Sequence, residues 1–387
     1  MTPPLALDSI EITNFRAFQH LEIDHLAQVN LIVGKNNVGK SSLLEAIQLL
    51  IDHGSPRQIA RILSERDEIS QESSFKTRDG RSTEFNYEDL NDISNGVQGL
   101  FYGRPNLKTI PELVIRSKHS DSQHITVKYT YFITQSDVDG RKRNEPIEPS
   151  DKELLTEEAR VGLTIRNDVN TRIVPLDQIF VRPTSAPVDT SQYRFIPTQG
   201  LSRRSISQFW DSIQLTPMEE EVLQALRLLA PRIDRISFKE TDRNRTPIVK
   251  LTDQLAPVPL RSLGDGVNRL FGIVLALVSN RQQLTLLNQG SLLLIDEIDT
   301  GLHWTVQDQI WKVLFRLAQE LNVQIVATTH SWDCIEGFSE ALQSDDTFDG
   351  QLISLRKSRK PEDNTIHPVF YDRREIAVAT KERIEVR

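Results

Sequence analysis

A single cysteine, Cys334, stands among the 387 residues. A disulfide framework within the chain is thereby excluded, and a reducing, cytoplasmic setting is expected. Long hydrophobic runs are missing as well. The longest, residues 270–278 with Gly272 inside it, has nine residues, against the roughly 20 that a membrane-spanning helix needs, so no membrane partner is expected. The opening MTPPLALDSIE carries no basic stretch followed by an apolar one, and no secretory signal is expected. A surplus of positive charge is also absent. Fifty-four acidic residues outnumber 46 basic ones, for a net charge of −8. That argues against coating nucleic acid by bulk charge and leaves room only for a local basic face. There is no internal repeat, no sustained low-complexity tract and no a/d heptad run of three or four heptads, so long tethering coiled coils are not expected.

What remains is the composition of a soluble globular chain, 38% hydrophobic and 26% charged, long enough for about two to three domains or one domain with insertions. LDSIEIT (7–13) alternates like a half-buried strand, and residues 21–23 could pair with it. QVNLIV (28–33) predicts a buried strand. Leu43, Leu44, Ile47 and Leu50 fall at helical spacing. Residues 51–100 hold 10 acidic and 6 basic side chains and predict a polar surface segment. Strands are expected near 112–115 and 124–133, and a solvated loop over 135–152. Helices at 202–213 and 217–229 and strands near 235–240 and 247–251 follow. An α/β alternation then resumes: helix 265–278, strand 291–295, helix 305–320, strand 323–327. These patterns predict a nucleotide-binding α/β core in three parts: an N-terminal lobe (1–80), a middle insertion of strands and helical or irregular structure (81–240) and a C-terminal lobe (241–387).

Four motifs carry chemistry. GKNNVGKSS, Gly34–Ser42, matches G-x-x-x-x-G-K-[ST] between a predicted strand and a predicted helix. Polyphosphate needs inward-pointing backbone N–H groups, which glycines permit, and a positive helix N-terminus. Lys40 would meet the β- and γ-phosphates and the Ser41 hydroxyl would ligate Mg²⁺. LLLIDE, Leu292–Glu297, places two carboxylates at the C-terminal end of a buried strand, where ligands of open α/β sheets sit. Asp296 is suited to Mg²⁺ and Glu297 to polarising the attacking water. RSLGDGVNR, Arg261–Arg269, reads either as a second phosphate-binding helix start or as an ordinary cap with Ser262 or Asp265. VATTHS, Val326–Ser331, brings His330 to the edge of the sheet that also bears the two carboxylates.

In this order the four motifs resemble the ABC-type ATPases of the SMC/RecF class. IEITNFRAFQHLEI, NLIVGKNNVGKSSLLEAI, SLGDGVNRLFGIVLAL and the RIEVR ending look like the OLD type within it, over about residues 5–50 and 255–387. The resemblance implies an ABC-ATPase head of the P-loop NTPase fold with a mixed β-sheet core. It implies that Gly34, Asn36, Asn37, Gly39, Lys40, Ser41 and Ser42 form the Walker A loop. By the same likeness Ser262, Gly264 and Gly266 form the signature loop, Asp296 is the Walker B aspartate, Glu297 the catalytic base, Asp299 the D-loop aspartate at a dimer seam and His330 the switch histidine. Arg16 would lie near the nucleotide, and Gln98 is one candidate for the Q-loop glutamine. ATP and Mg²⁺ are the implied cofactors. The 57 residues after His330 are too few for the Toprim nuclease of full-length OLD proteins, so the expected architecture is that of stand-alone ATPase components of anti-phage systems such as PARIS, with the effector, a nuclease or toxin, on a separate chain.

Three functional expectations follow. The first is an ATP-hydrolysing switch that closes head to tail, as a homodimer or higher even-numbered homo-oligomer, around ATP and controls that effector. The second is a RecF-like repair ATPase that binds DNA. Residues 351–387 hold 9 basic and 6 acidic side chains, which a solvated segment explains equally well. The third is an ATP-dependent scaffold with little turnover.

Overall fold

A computed structural model describes residues 5–69, 93–106, 111–118, 123–136, 142–147, 159–179, 193–241, 244–279, 291–358 and 365–387. In chain order the strands are β1 (Ile10–Phe15), β2 (Phe18–Ile23), β3 (Val29–Val33), β4 (Leu113–Arg116), β5 (His124–Ser136), β6 (Lys142–Ile147), β7 (Arg160–Asn167), β8 (Thr171–Pro175), β9 (Tyr193–Ile196), β10 (Ile233–Thr241), β11 (Asn244–Leu251), β12 (Val258–Pro259), β13 (Ser291–Ile295), β14 (Val323–Thr328), β15 (Gly350–Lys357) and β16 (Ile366–Tyr371).

The central sheet has the order β16-β15-β3-β14-β13-β9. It is parallel from β15 to β9, and only the edge strand β16 runs antiparallel. VNLIV, SLLLI and VQIVAT are buried at every residue, as strands covered on both faces must be. Alternate residues of these strands serve two separate cores. Leu31, Val33, Leu293, Ile295, Ile325 and Ala327 face the helices Asp265–Ser279, Gln307–Leu321 and Trp332–Gln343. Ile32, Leu292, Leu294 and Val326 face the helices Lys40–Ile51 and Pro56–Glu65 and, beyond them, a second sheet. That second sheet is antiparallel, in the order β2-β1-β4-β5-β7-β8, with β6 paired to β5. A meander, β10-β11-β12, completes the fold. Among the described residues no helix is long and apolar enough to cross a membrane.

The 81–240 stretch does not stand apart from the core as an insertion would. Its strands β4, β5, β7 and β8 extend the sheet that β1 and β2 begin, through pairs such as Ile12↔Ile115. Its strand β9 closes the central sheet against β13, with Leu294 beside Phe195. The expected loop at 135–152 contains β6, which pairs residue for residue with the outer half of β5. The rest of that loop lies outside the described residues, apart from Gln135 and Ser136 in β5. The polar segment after the first helix contains the amphipathic helix Pro56–Glu65, whose Ile59, Ile62 and Leu63 are buried. Its 70–92 portion lies outside the described residues.

Candidate functional site

The strand order puts the chemistry in a row. β14 lies between β3 and β13. The parallel ends of these three strands therefore deliver the Gly34–Gly39 loop, the Thr328–His330 segment and the Asp296–Glu297 pair to the same sheet edge.

The loop after β3 is shaped by close contacts and positive φ angles. Gly34 has φ 149°, and a Cβ there would stand 2.7 Å from the Leu355 carbonyl oxygen and from Val38 Cγ2. Gly39, at φ 88° and ψ 16°, opens the helix Lys40–Ile51, and a Cβ on it would meet Phe18 Cζ at 2.7 Å. Asn37 also adopts positive φ, 64°, a conformation that asparagine tolerates better than most residues. The helix start has neither a side-chain cap nor an acidic residue in its first turn. Its N–H groups are left for an anionic ligand. Asn36 and Asn37 are exposed and Ser42 is buried. Lys40 Nζ donates to the carbonyls of Gly34 (2.7 Å) and Lys35 (3.1 Å). Burial draws its pKa below the usual lysine value, against the opposing pull of Glu297, Asp296 and Asp299.

Asp296 collects three hydroxyls. Ser41 Oγ donates to it at 3.2–3.3 Å, Thr328 Oγ1 at 2.7 Å and Thr198 Oγ1 at 3.1 Å. The spacing of Ser41 and Asp296 oxygens is close to the ~3 Å edge of an octahedron with ~2.1 Å metal–oxygen bonds. An all-oxygen pair of this kind fits Mg²⁺, with Ser41 and Asp296 as the residues that would hold it. Thr198, just past β9, was invisible to sequence reasoning, because nothing local marks a threonine as a carboxylate partner 98 residues away.

Glu297 has φ 48°, a strained conformation for a residue with a Cβ, costing about 1–3 kcal/mol. Both of its backbone groups are clamped: its N–H donates to Thr328 Oγ1 (2.9 Å) and its carbonyl accepts from Arg269 (2.9 Å). Arg269 also donates to the carbonyls of Pro197, Thr198 and Asp296. It is 7% exposed, and burial lowers its pKa, an effect that Asp296, Asp299 and Glu297 oppose. The available signal was an arginine at the head of an otherwise apolar helix, because a buried cation must find acceptors. His330 Nδ1 lies 3.7 Å from Glu297 Oε1, and both side chains reach solvent. Asp299 accepts from Thr329 Oγ1 at 2.5 Å, so its carboxylate is engaged within its own chain next to His330.

Ser262 sits in a single helical turn, Leu260–Leu263, and Ser262, Gly264 and Asp265 are exposed. Gly264 has φ 108°, and a Cβ there would meet nothing within 4 Å. Gly266 is different. Its added Cβ would lie 2.6 Å from the Gly301 carbonyl, which packs this turn onto the segment that follows Asp299.

Arg16, expected near the nucleotide, is engaged by groups of its own chain. Its side chain is 5% exposed, and it meets Glu68 at 2.7 Å and Glu45 at 3.0 Å and also donates to the Gly99 carbonyl at 2.9 Å. Through Glu45, the Ile62 carbonyl and the Gly99 carbonyl it ties the helices Lys40–Ile51 and Pro56–Glu65 to the Gln98–Leu100 turn. Gln98 lies in that same turn.

The family described as "AAA domain, putative AbiEii toxin, Type IV TA system" matches residues 29–333. A Helicobacter pylori protein named "ATP/GTP phosphatase" is 25% identical over 361 residues, 88% of this chain and 89% of its own length. The "DNA replication and repair protein RecF" of Oceanobacillus iheyensis is 26% identical over 159 residues, 36% of this chain and 43% of that one. A solved structure, "Crystal structure of the SmcHead bound to the C-winged helix domain of ScpA", aligns over 95% of this chain and 98% of that chain at 13% identity and a TM-score of 0.44.

Proposed function

From the premise that the chain belongs to this AAA-domain family of P-loop ATPases, we propose that it is an ATP-hydrolysing switch whose copies close head to tail around ATP. The observation that carries the reading is the meeting of Ser41 and Asp296, residues 255 apart in sequence, at the mouth of an uncapped helix. In the proposed reaction Lys40 leaves the loop carbonyls for the β- and γ-phosphates. Mg²⁺, held by Ser41 and Asp296, would neutralise charge on the phosphate oxygens. Glu297 accepts a hydrogen bond from the attacking water. The water oxygen bonds to the γ-phosphorus and gives a proton to Glu297 as the bond to the β–γ bridging oxygen breaks, and ADP and phosphate leave. His330, beside Glu297, donates to the γ-phosphate or the water. The exposed Ser262–Gly264 turn supplies the other half of the pocket to a second copy. Because both copies would touch the γ-phosphate, ATP favours the closed pair and hydrolysis releases it, as differential binding requires. The D-loop role of Asp299 is then indirect, passed through Thr329 to His330.

The switch would act on a separate effector protein, a nuclease or toxin, in anti-phage defence. The family description names a toxin–antitoxin system, which supports a toxin setting; the separate effector and its target are part of the proposal. A RecF-like role on DNA is the second reading, supported by the RecF relative. Phosphate release from ATP and Mg²⁺ by the purified chain tests the shared core. Lys40→Ala should abolish nucleotide binding, and turnover unchanged by Lys40→Ala would overturn it. A steep salt dependence of DNA binding would favour the second reading.

A further inference from the structure

Residues 384–387 fold back onto the rim of this site. Val386 is 1% exposed and belongs to the helix-side core, which fixes the backbone on either side of it. Arg387 donates from its NH1 group to the His330 carbonyl at 3.1 Å and lies 5.9 Å over the Trp332 ring. Glu385 orients that guanidinium by accepting from its Nε at 2.8 Å and its NH2 group at 3.0 Å. Hydrogen bonding from Arg387 holds the Glu385 pKa down to about 2, with a smaller contribution from the charge of Lys35. The Glu385 carbonyl accepts from Arg356 at 3.4 Å, at the end of β15 where Leu355 abuts Gly34. Phosphate loop, segment 384–387 and histidine loop thus form one chain of contacts.

His330 needs such a hold. Thr329, on one side, is bound to Asp299, and Ser331, on the other, caps the helix Trp332–Gln343. His330 itself is exposed, and the bond from Arg387 fixes the plane of the peptide that follows it. We propose that Arg387, oriented by Glu385, is a positioning residue for His330: it sets the imidazole toward Glu297. This rests on the reading of His330 as the histidine that meets the γ-phosphate. If Arg387 were mere surface packing, its removal would change stability and leave turnover alone.

The test is a double-mutant cycle on the full chain with ATP and Mg²⁺, with kcat from phosphate release and nucleotide Kd measured on each protein. Arg387→Ala should lower kcat about tenfold, within the range of coupled neighbours, with Kd changed less than about twofold. Arg387→Lys, which keeps one donor, should recover part of the loss, and Glu385→Gln should show a smaller loss of the same kind. In a His330→Ala background, Arg387→Ala should add nothing. Equal losses from Arg387→Ala with and without His330, or a kcat unchanged by Arg387→Ala, would overturn the positioning role while leaving the switch reading intact. A wild-type rate for His330→Ala alone would overturn both. Matched melting temperatures between wild type and Arg387→Ala separate these outcomes from misfolding.

Discussion

Arg269 holds the carbonyl of Glu297 at 2.9 Å. The bond joins the helix that follows the exposed Ser262–Gly264 turn to the backbone of the residue proposed to polarise water. Any shift of that helix when a second copy docks would be felt at Glu297, because Glu297 keeps its positive φ only while Thr328 and Arg269 grip its two backbone groups.

Removing that grip should separate binding from chemistry. Arg269→Ala should leave ATP affinity nearly unchanged and lower kcat by about 10- to 100-fold, since misplacement of about 1 Å can cost that much. It should also destabilise the fold by about 2–3 kcal/mol, because buried carbonyls lose their donor. Parallel measurements of kcat, nucleotide Kd and urea unfolding check this. A loss confined to Kd would contradict it.

Lys40 predicts a pH dependence of binding. Burial lowers its pKa in the unliganded chain, and phosphate charge raises it again. Binding therefore takes up a proton between the two values, and ATP affinity should fall as pH rises through that window. The unliganded folded chain binds fewer protons there than the unfolded chain does, so its stability should rise with pH across the same window. Calorimetric titrations in buffers of different ionisation enthalpy, from about pH 7 to about pH 10, should detect the uptake. An affinity flat over that range would contradict the assignment.

Arg16 predicts a stability effect. Arg16→Ala removes one of the two arginines that meet each of Glu45 and Glu68, leaving Arg66 on Glu45 and Arg104 on Glu68, and it leaves the Gly99 carbonyl without this donor. The expected cost is about 1–3 kcal/mol in denaturant unfolding, with ATP affinity weakened only through displacement of the helix Lys40–Ile51. A variant as stable as wild type but unable to bind ATP would restore the nucleotide role first expected of Arg16.

These contrasts show where sequence reasoning reached and where it stopped. That Gly34, Lys40, Asp296 and His330 share one sheet edge was legible because each motif follows a buried strand. The ion pairs of Arg16 were not legible, because its acceptors lie 29 and 52 residues further along the chain. Thr198 and the β9–β13 pairing were invisible because YRFI is too short to announce a strand and its partner lies almost 100 residues away. The antiparallel sheet was missed as a unit for the same reason: β1 pairs with β4 across some hundred residues, and pairing over that distance leaves no periodic signature.

The most direct measurement is the molar mass of Glu297→Gln by light scattering, with and without saturating ATP and Mg²⁺. The account predicts that nucleotide doubles the mass relative to the same protein alone. It also predicts that adding Ser262→Arg abolishes the doubling while ATP still binds. A mass unchanged by saturating ATP would contradict the claim that triphosphate is shared between two copies of this chain.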